Sequence, residues 1–270
     1  MQKGPRGNKA PAFDTASGTR SAGKGGGEAE CVHGLRAGLA VFARRPDDVT
    51  RVAYSNAVRD EVTRLARWAA SRGVTCSAVG DRELDRLADS NHHEGLCVWA
   101  KPRAYASAQD VGEALLRARG HAIALDRVRN PYNVGAIIRS AAFFGLEGVY
   151  LGAPAPHAGL TSTAVRVAEG GAEAVRVART TDLADTLSRL RARGVRVVGA
   201  DGHARTSAVG FDYRGPVVLV LGNEREGLGE RVRAQCDATV AVVGSGQIES
   251  LNVAVAASVL IAEMVRTSVR

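Results

Sequence analysis

The chain has 270 residues, 45% of them hydrophobic, enough to fill one large core or two ordinary ones. Its formal net charge of +8 suits a polyanionic partner, although basic charge alone does not single out nucleic acid. Four scattered cysteines, Cys31, Cys76, Cys97 and Cys236, form no CxxC pair and have no histidine at metal-ligand spacing, so they read as ordinary thiols in a reducing cytoplasm, with no metal.

Residues 1–29 hold seven glycines and two prolines among mixed charges, with almost no large apolar residue. Such a stretch cannot bury enough surface to offset its ordering entropy, which predicts a disordered, basic, Gly-rich tail. It lacks the apolar core of a signal peptide. The longest apolar run, Leu251 to Ile261, is interrupted by Asn252 and too short to cross a bilayer. The expectation is a soluble cytoplasmic protein with no membrane contact.

Over residues 30–103, "LRAGLAVFARR" predicts a helix, "VTRVAYSN" a strand and "AVRDEVTRLARWAASRG" an amphipathic helix. A short strand "VTCSAVG", a helix "DRELDRLAD" and the apolar run "GLCVWA" complete a small α/β unit of domain size. Residues 104–120 read as a linker with a short helix. From 121 to 270, the apolar runs "HAIALD", "GVYLG", "AVRVA", "VRVVGAD", "PVVLVLG" and "ATVAVV" are separated by helical stretches such as "TTDLADTLSRLRARG". That alternation predicts a mostly parallel sheet covered on both faces.

In an open parallel sheet, ligands bind beyond the carboxyl ends of the strands, and three such places are unusual here. In "LDRVRNPYNVGAIIRSAAFFG", Asn130, Pro131 and Asn133 suit a turn into a helix, with Asn133 a candidate cap. Arg139 flanks the apolar stripe of that helix without any packing reason to be there. In "VVLVLGNEREGLG", Gly222 and Gly227 permit positive φ or close approach to a ligand, while Glu224 and Glu226 also suit a helix N-terminus. In "GSGQIESLNVAVAASVLIAEMV", Ser250 is a candidate cap for a nearly all-apolar helix that must be buried on most faces. Asn252, in its first turn, then needs a hydrogen-bonding partner. Neither a P-loop nor a GxGxxG fingerprint is present.

Taken in this order, the three stretches resemble the motifs of the SpoU (TrmH-type) RNA ribose methyltransferases of the SPOUT superfamily. "NPYNVGAIIRSAAFFG" resembles the first motif, "LVLGNEREGL" the second and "ESLNVAVAASVLIAE" the third. "AEGGAEAV" and "VVGSGQIESLN" are similar to the YfiF-like branch. Residues 30–103 are similar to the L30e-like substrate-binding domain that often precedes the catalytic one. The resemblance implies an α/β, trefoil-knotted methyltransferase domain over 121–270 that binds S-adenosylmethionine in a bent form and pairs into a homodimer. It implies a structured RNA partner, rRNA or tRNA, and methyl transfer to a ribose 2′-hydroxyl.

The same resemblance places Arg139, Asn133, Glu224, Ser250 and Asn252 in the catalytic machinery. It places Leu221, Gly222, Asn223, Gly227, Val242, Val243, Ser250 and Leu251 around the cofactor. A guanidinium stays protonated at neutral pH, so Arg139 is expected to contact the target phosphate and ribose oxygen rather than act as a base. Asn133, Glu224 and Asn252 would fix Arg139 and the hydroxyl. Two departures stand out: Val242, Val243 and Gly244 replace the family's Ile-Pro-Met, and "AEGG" replaces a more usual Ser-Gly after an Ala. The alternatives are a non-catalytic RNA-binding or assembly protein that keeps the knot, and a nucleotide-dependent enzyme on a doubly wound sheet. His92 and His93 suit a plain polar loop better than an RNA contact, and Trp68 and Trp99 suit the core.

Overall fold

The structure, a computed structural model, describes residues 29–152 and 159–268. The tail expected over 1–29 lies, apart from Ala29, outside the described residues. The first α/β unit runs β1 (Glu30–His33), α1 (Leu35–Arg44), β2 (Val49–Tyr54), α2 (Thr63–Arg72), β3 (Thr75–Ala78), α3 (Asp81–Ala88) and β4 (Leu96–Ala100). Its sheet has the order β1-β4-β2-β3, with β4 antiparallel to both neighbours and β2 parallel to β3. Val41, Val52, Leu65, Leu96 and Val98 form its centre. Trp68 and Trp99 are half-buried against this unit's two apolar clusters, and Arg51 stacks over the Trp99 ring.

Two details differ from the sequence reading. The long helix expected from Ala57 opens as a separate 3-10 turn, Asn56–Val58, and α2 starts only at Thr63, where Leu65 and Ala69 supply its buried face. It stops at Gly73, whose φ of 68° only glycine adopts freely. The second difference is β1, which was not expected as a strand.

The second unit runs α4 (Ala108–Ala118), β5 (His121–Leu125), α5 (Pro131–Phe143), β6 (Gly148–Leu151), α6 (Ser162–Val167), α7 (Gly171–Ala174) and β7 (Arg176–Arg179). It continues with α8 (Leu183–Ala192), β8 (Arg196–Ala200), β9 (Val217–Leu221), α9 (Glu230–Arg233), β10 (Ala238–Val240) and α10 (Val253–Ser268). Strand order is β10-β8-β9-β5-β6-β7, and every pairing is parallel. Both faces are covered, as the uniform apolar runs require. On β9, Val217, Leu219 and Leu221 point into a core shared with α5 and α10, while Val218 and Val220 point into one shared with α4 and α8. The stretch 104–120, expected as a linker with a short helix, holds α4, which packs into the second unit. A reciprocal cap between Ser107 and Asp110 starts that helix, and Val111 and Leu115 are fully buried in the second core.

Charge pairs join the two units. Glu173 on α7 accepts from Arg45 at 3.0 Å and from Arg103 at 2.8 Å. The Arg103 and Glu173 side chains are only 6% and 7% exposed, so this ion pair is buried at the junction. The His92–His93 loop also lies at the junction. His93 is buried, accepts from the Gly95 N–H and faces Asp85, while Glu94 faces Arg166 of α6.

Candidate active site

The carboxyl ends of β8, β9 and β10, with the loop before α10, surround a cavity of about 580 Å3. This is where an open parallel sheet places a ligand. Of the residues expected around a cofactor, Leu221, Gly222, Asn223, Gly227, Val242, Ser250 and Leu251 line it. Val243 does not: it is 72% exposed and turned away, because a strand-like chain sends successive side chains to opposite sides.

The second-motif loop is a tight turn, not a helix start. Asn223 and Gly227 exchange backbone hydrogen bonds of 3.1 and 2.9 Å, and Gly227 takes a φ of 64°. Gly222 is required for space: a Cβ there would lie 2.4 Å from the Gly227 carbonyl carbon. The Asn223 side chain accepts from the N–H groups of Arg225 and Glu226 and donates to the Arg127 carbonyl. Glu226 pairs with Arg127. The expected helix-capping role for the two glutamates is thereby replaced, and α9 begins only at Glu230.

Two caps also shift, by three residues at α5 and by two at α10. Asn130, not Asn133, caps α5 by accepting from the Tyr132 N–H at 2.9 Å, with Pro131 at the first helical position. Asn252, not Ser250, caps α10 by accepting from Ala254 N at 2.9 Å and Val255 N at 3.3 Å. Asn133 is freed for another task. It lies inside the first turn of α5 and is buried.

There it joins a directional chain. The Asn252 oxygen is committed to backbone N–H groups, so its Nδ2 donates to Asn133 Oδ1, at 3.1 Å. The Asn133 amide can then only donate onward, and it does so to Glu224 Oε1. All three motifs thus meet in one hydrogen-bonded line that ends on a carboxylate at the cavity wall.

Arg139 is not part of that line, which corrects the expectation that Asn133, Glu224 and Asn252 hold it. Six residues along an α-helix turn the side chain by about 120°, so Arg139 faces away from Asn133. It shares a row with Tyr132 and Phe143, both exposed, and its Nη1 lies 2.8 Å from Glu169 Oε1. Sequence reading missed Glu169. It also missed Asp201 and Arg233 on the cavity wall, although Asp201 directly follows a strand and the strand-end rule reaches it. Burial works to raise the Asp201 carboxyl, but the His203 N–H and the Arg233 guanidinium at 2.6 Å outweigh it and hold it below the ordinary carboxylate value.

The model of the SpoU rRNA Methylase family matches residues 120–262, spanning β5 to β10 and all three loops. The chain belongs to the SpoU rRNA methylase family. A relative described as an uncharacterized tRNA/rRNA methyltransferase of Mycolicibacterium smegmatis is 37% identical over 97% of this chain and 84% of its own length. The similarity therefore includes the first α/β unit of this SpoU-family chain. Among solved structures, the SpoU methyltransferase AviRb from Streptomyces viridochromogenes, in complex with the cofactor AdoMet, superposes with a TM-score of 0.71 at 25% identity, covering 88% of this chain and 90% of that one. An AdoMet-bound rRNA methyltransferase from Sinorhizobium meliloti gives 0.72 at 25% identity, covering 88% and 87%. Among the described residues, no helix is long and apolar enough to cross a membrane, and no group of three or more His, Cys, Asp or Glu side chains is arranged to hold a metal ion.

Proposed function

We propose that this chain is an S-adenosylmethionine-dependent RNA methyltransferase acting on a ribose 2′-hydroxyl of rRNA or tRNA in the cytoplasm. The hydrogen-bonded line from Asn252 through Asn133 to Glu224 carries the reading, because it presents an oriented carboxylate at the mouth of a cofactor-sized cavity. The residues present fit S-adenosylmethionine. Leu221, Val242, Leu251 and Leu260 offer an apolar wall for an adenine, and the carboxylates of Asp201, Glu224 and Glu249 complement the cofactor's cationic end. A volume of about 580 Å3 lies within the usual range for small-molecule sites. When bound, the cofactor supplies an electrophilic methyl group on a sulfonium.

The residues of the chain do the rest. Asn133 occupies Glu224 Oε1, which leaves Oε2 to accept a hydrogen bond from the ribose hydroxyl and take its proton as the oxygen attacks. The permanently charged Arg139 holds the adjacent phosphate and stabilises the developing alkoxide. Ser250 lines the cavity from the loop ahead of α10.

The outward aim of Arg139 supports a site shared between two chains. Tyr132, Phe143, Val255 and Val259 are exposed apolar residues on the paired helices α5 and α10, where Ser140 and Ser258 bond at 2.8 Å. Phe143 is 81% exposed, a poor state for an aromatic on a soluble chain. A homodimer through this face buries them and brings Arg139 of one chain to the Glu224 of the other. The proposal includes the trefoil knot over 121–270 and RNA binding by residues 30–103 as an L30e-like domain.

The test is the chemistry of the product. RNA methylated by the purified protein is digested to nucleosides and resolved by mass spectrometry. A 2′-O-methyl nucleoside is expected; methyl groups found only on bases contradict the ribose assignment.

A further inference from the structure

The "AEGG" turn lies at the junction between the two units. After α6, Glu169 adopts a φ of 45° and Gly170 one of 89°, and α7 starts at Gly171. A Cβ on Gly170 would lie 2.7 Å from Ala40 Cβ on α1, and one on Gly171 would lie 3.1 Å from Arg139 Cα on α5. The turn is thus wedged between a helix of the first unit and the helix that carries Arg139, with glycines where no side chain fits.

Glu169 is the exception in that wedge. A left-handed backbone alone is better served by glycine or asparagine, so what the glutamate adds is its carboxylate. Its two oxygens go to different units. Oε1 lies 2.8 Å from Arg139 Nη1, and Oε2 lies 3.6 Å from Arg36 Nε on α1. The Glu169 side chain is 29% exposed, against 54% for Arg139, so the carboxylate is the better-anchored member of the pair. Ion pairs this exposed add little to stability. Their effect is on position: arginine on a helix surface samples many rotamers, and a fixed carboxylate on Nη1 selects one while leaving the other guanidinium N–H groups for a ligand.

We infer that Glu169 is a positioning residue: its carboxylate, with Arg36 of the first unit 3.6 Å from its other oxygen, sets the guanidinium of Arg139 before RNA arrives. The inference rests on the reading of Arg139 as the residue that meets the RNA. It also makes the first unit part of the scaffold of the reactive site rather than only a landing surface for substrate.

The experiment compares the full chain with Glu169→Gln, which keeps the shape and removes the charge, and Glu169→Asp, which keeps the charge on a shorter arm. The first readout is 15N relaxation of the Arg139 Nε–Hε group, identified by its loss in Arg139→Lys. Order at this group is expected to fall in Glu169→Gln and to recover in part in Glu169→Asp. The second readout is the single-turnover rate of methyl transfer to RNA, beside RNA affinity by filter binding. The rate is expected to fall about tenfold in Glu169→Gln with RNA affinity undiminished, since misplacing a group that acts on the transition state costs rate before binding. An Arg139 Nε–Hε group as ordered in Glu169→Gln as in the parent chain overturns the inference. Because that readout involves no methyl transfer, it decides the role of Glu169 even where the ribose assignment fails.

Discussion

Arg139→Lys is expected to lose about a hundredfold or more in methyl transfer while binding S-adenosylhomocysteine as tightly as the parent chain. Lysine keeps the positive charge but replaces a planar fork of five donors by a single ammonium, which cannot hold a phosphate and a developing alkoxide in one fixed geometry. Cofactor binding is spared because Arg139 lies on the far side of α5 from the cavity and is not among its lining residues. Titration calorimetry and a single-turnover assay measure the two quantities separately. A near-normal rate in Arg139→Lys rules out its proposed role. A shared site adds a sharper outcome. Chains carrying Arg139→Ala and chains carrying Glu224→Ala, each inactive alone, should regain about a quarter of the parent activity when refolded together, since random pairing makes half the dimers mixed and each mixed dimer has one intact site.

Gly222→Ala should have the opposite signature, losing cofactor binding first. The new methyl group would meet the Gly227 carbonyl carbon and oxygen at 2.4 Å and the Leu228 nitrogen at 2.7 Å, all backbone atoms that cannot rotate aside. Relief requires opening the Asn223–Gly227 turn, whose backbone lines the cavity. The strain amounts to about 1–3 kcal/mol, with a fall of tenfold or more in S-adenosylhomocysteine affinity as the expected result. Gly227→Ala is the control. It meets nothing within 4 Å and suffers only from its φ of 64°, so its cost is about 1 kcal/mol. Parent-like cofactor affinity in Gly222→Ala contradicts the placement of the cofactor in this cavity.

Much of the fold was legible because burial leaves a period. The six apolar runs from "HAIALD" to "ATVAVV" became the six parallel strands, and β9 alternates between two cores residue by residue. The features that escaped were those whose pattern is weak or shared. With only four residues, two of them not buried, β1 offers no alternation to read. Ala57 to Glu61 suits a helix by propensity, but tertiary packing places a 3-10 turn at Asn56–Val58 and α2 starts only at Thr63. Capping residues crowd both motif loops, and sequence could not say which asparagine or serine would cap and which would be free to bond across the site.

At the site, the residue types were legible and their grouping was not. Asn133, Glu224 and Asn252 are far apart in the chain and meet only because β9 lies beside β5 and α10 packs on α5. The separation of Arg139 from Asn133, in contrast, was available from spacing, since residues six apart on a helix do not share a face. The partner of Arg139 was hidden for a different reason. Glu169 sits in a turn whose glycines draw attention to the backbone, and nothing in "AEGG" says that the carboxylate faces a helix thirty residues upstream.

The most direct measurement is tritiated methyl transfer from S-adenosylmethionine into total RNA from a strain lacking this gene, fractionated by size, with the parent chain and with Arg139→Ala. Label in one RNA class with the parent chain, absent with Arg139→Ala, is the predicted result and names rRNA or tRNA as the substrate. No label in any RNA from a parent chain that binds S-adenosylhomocysteine contradicts the account and points to an RNA-binding relative that keeps the cofactor site without turnover.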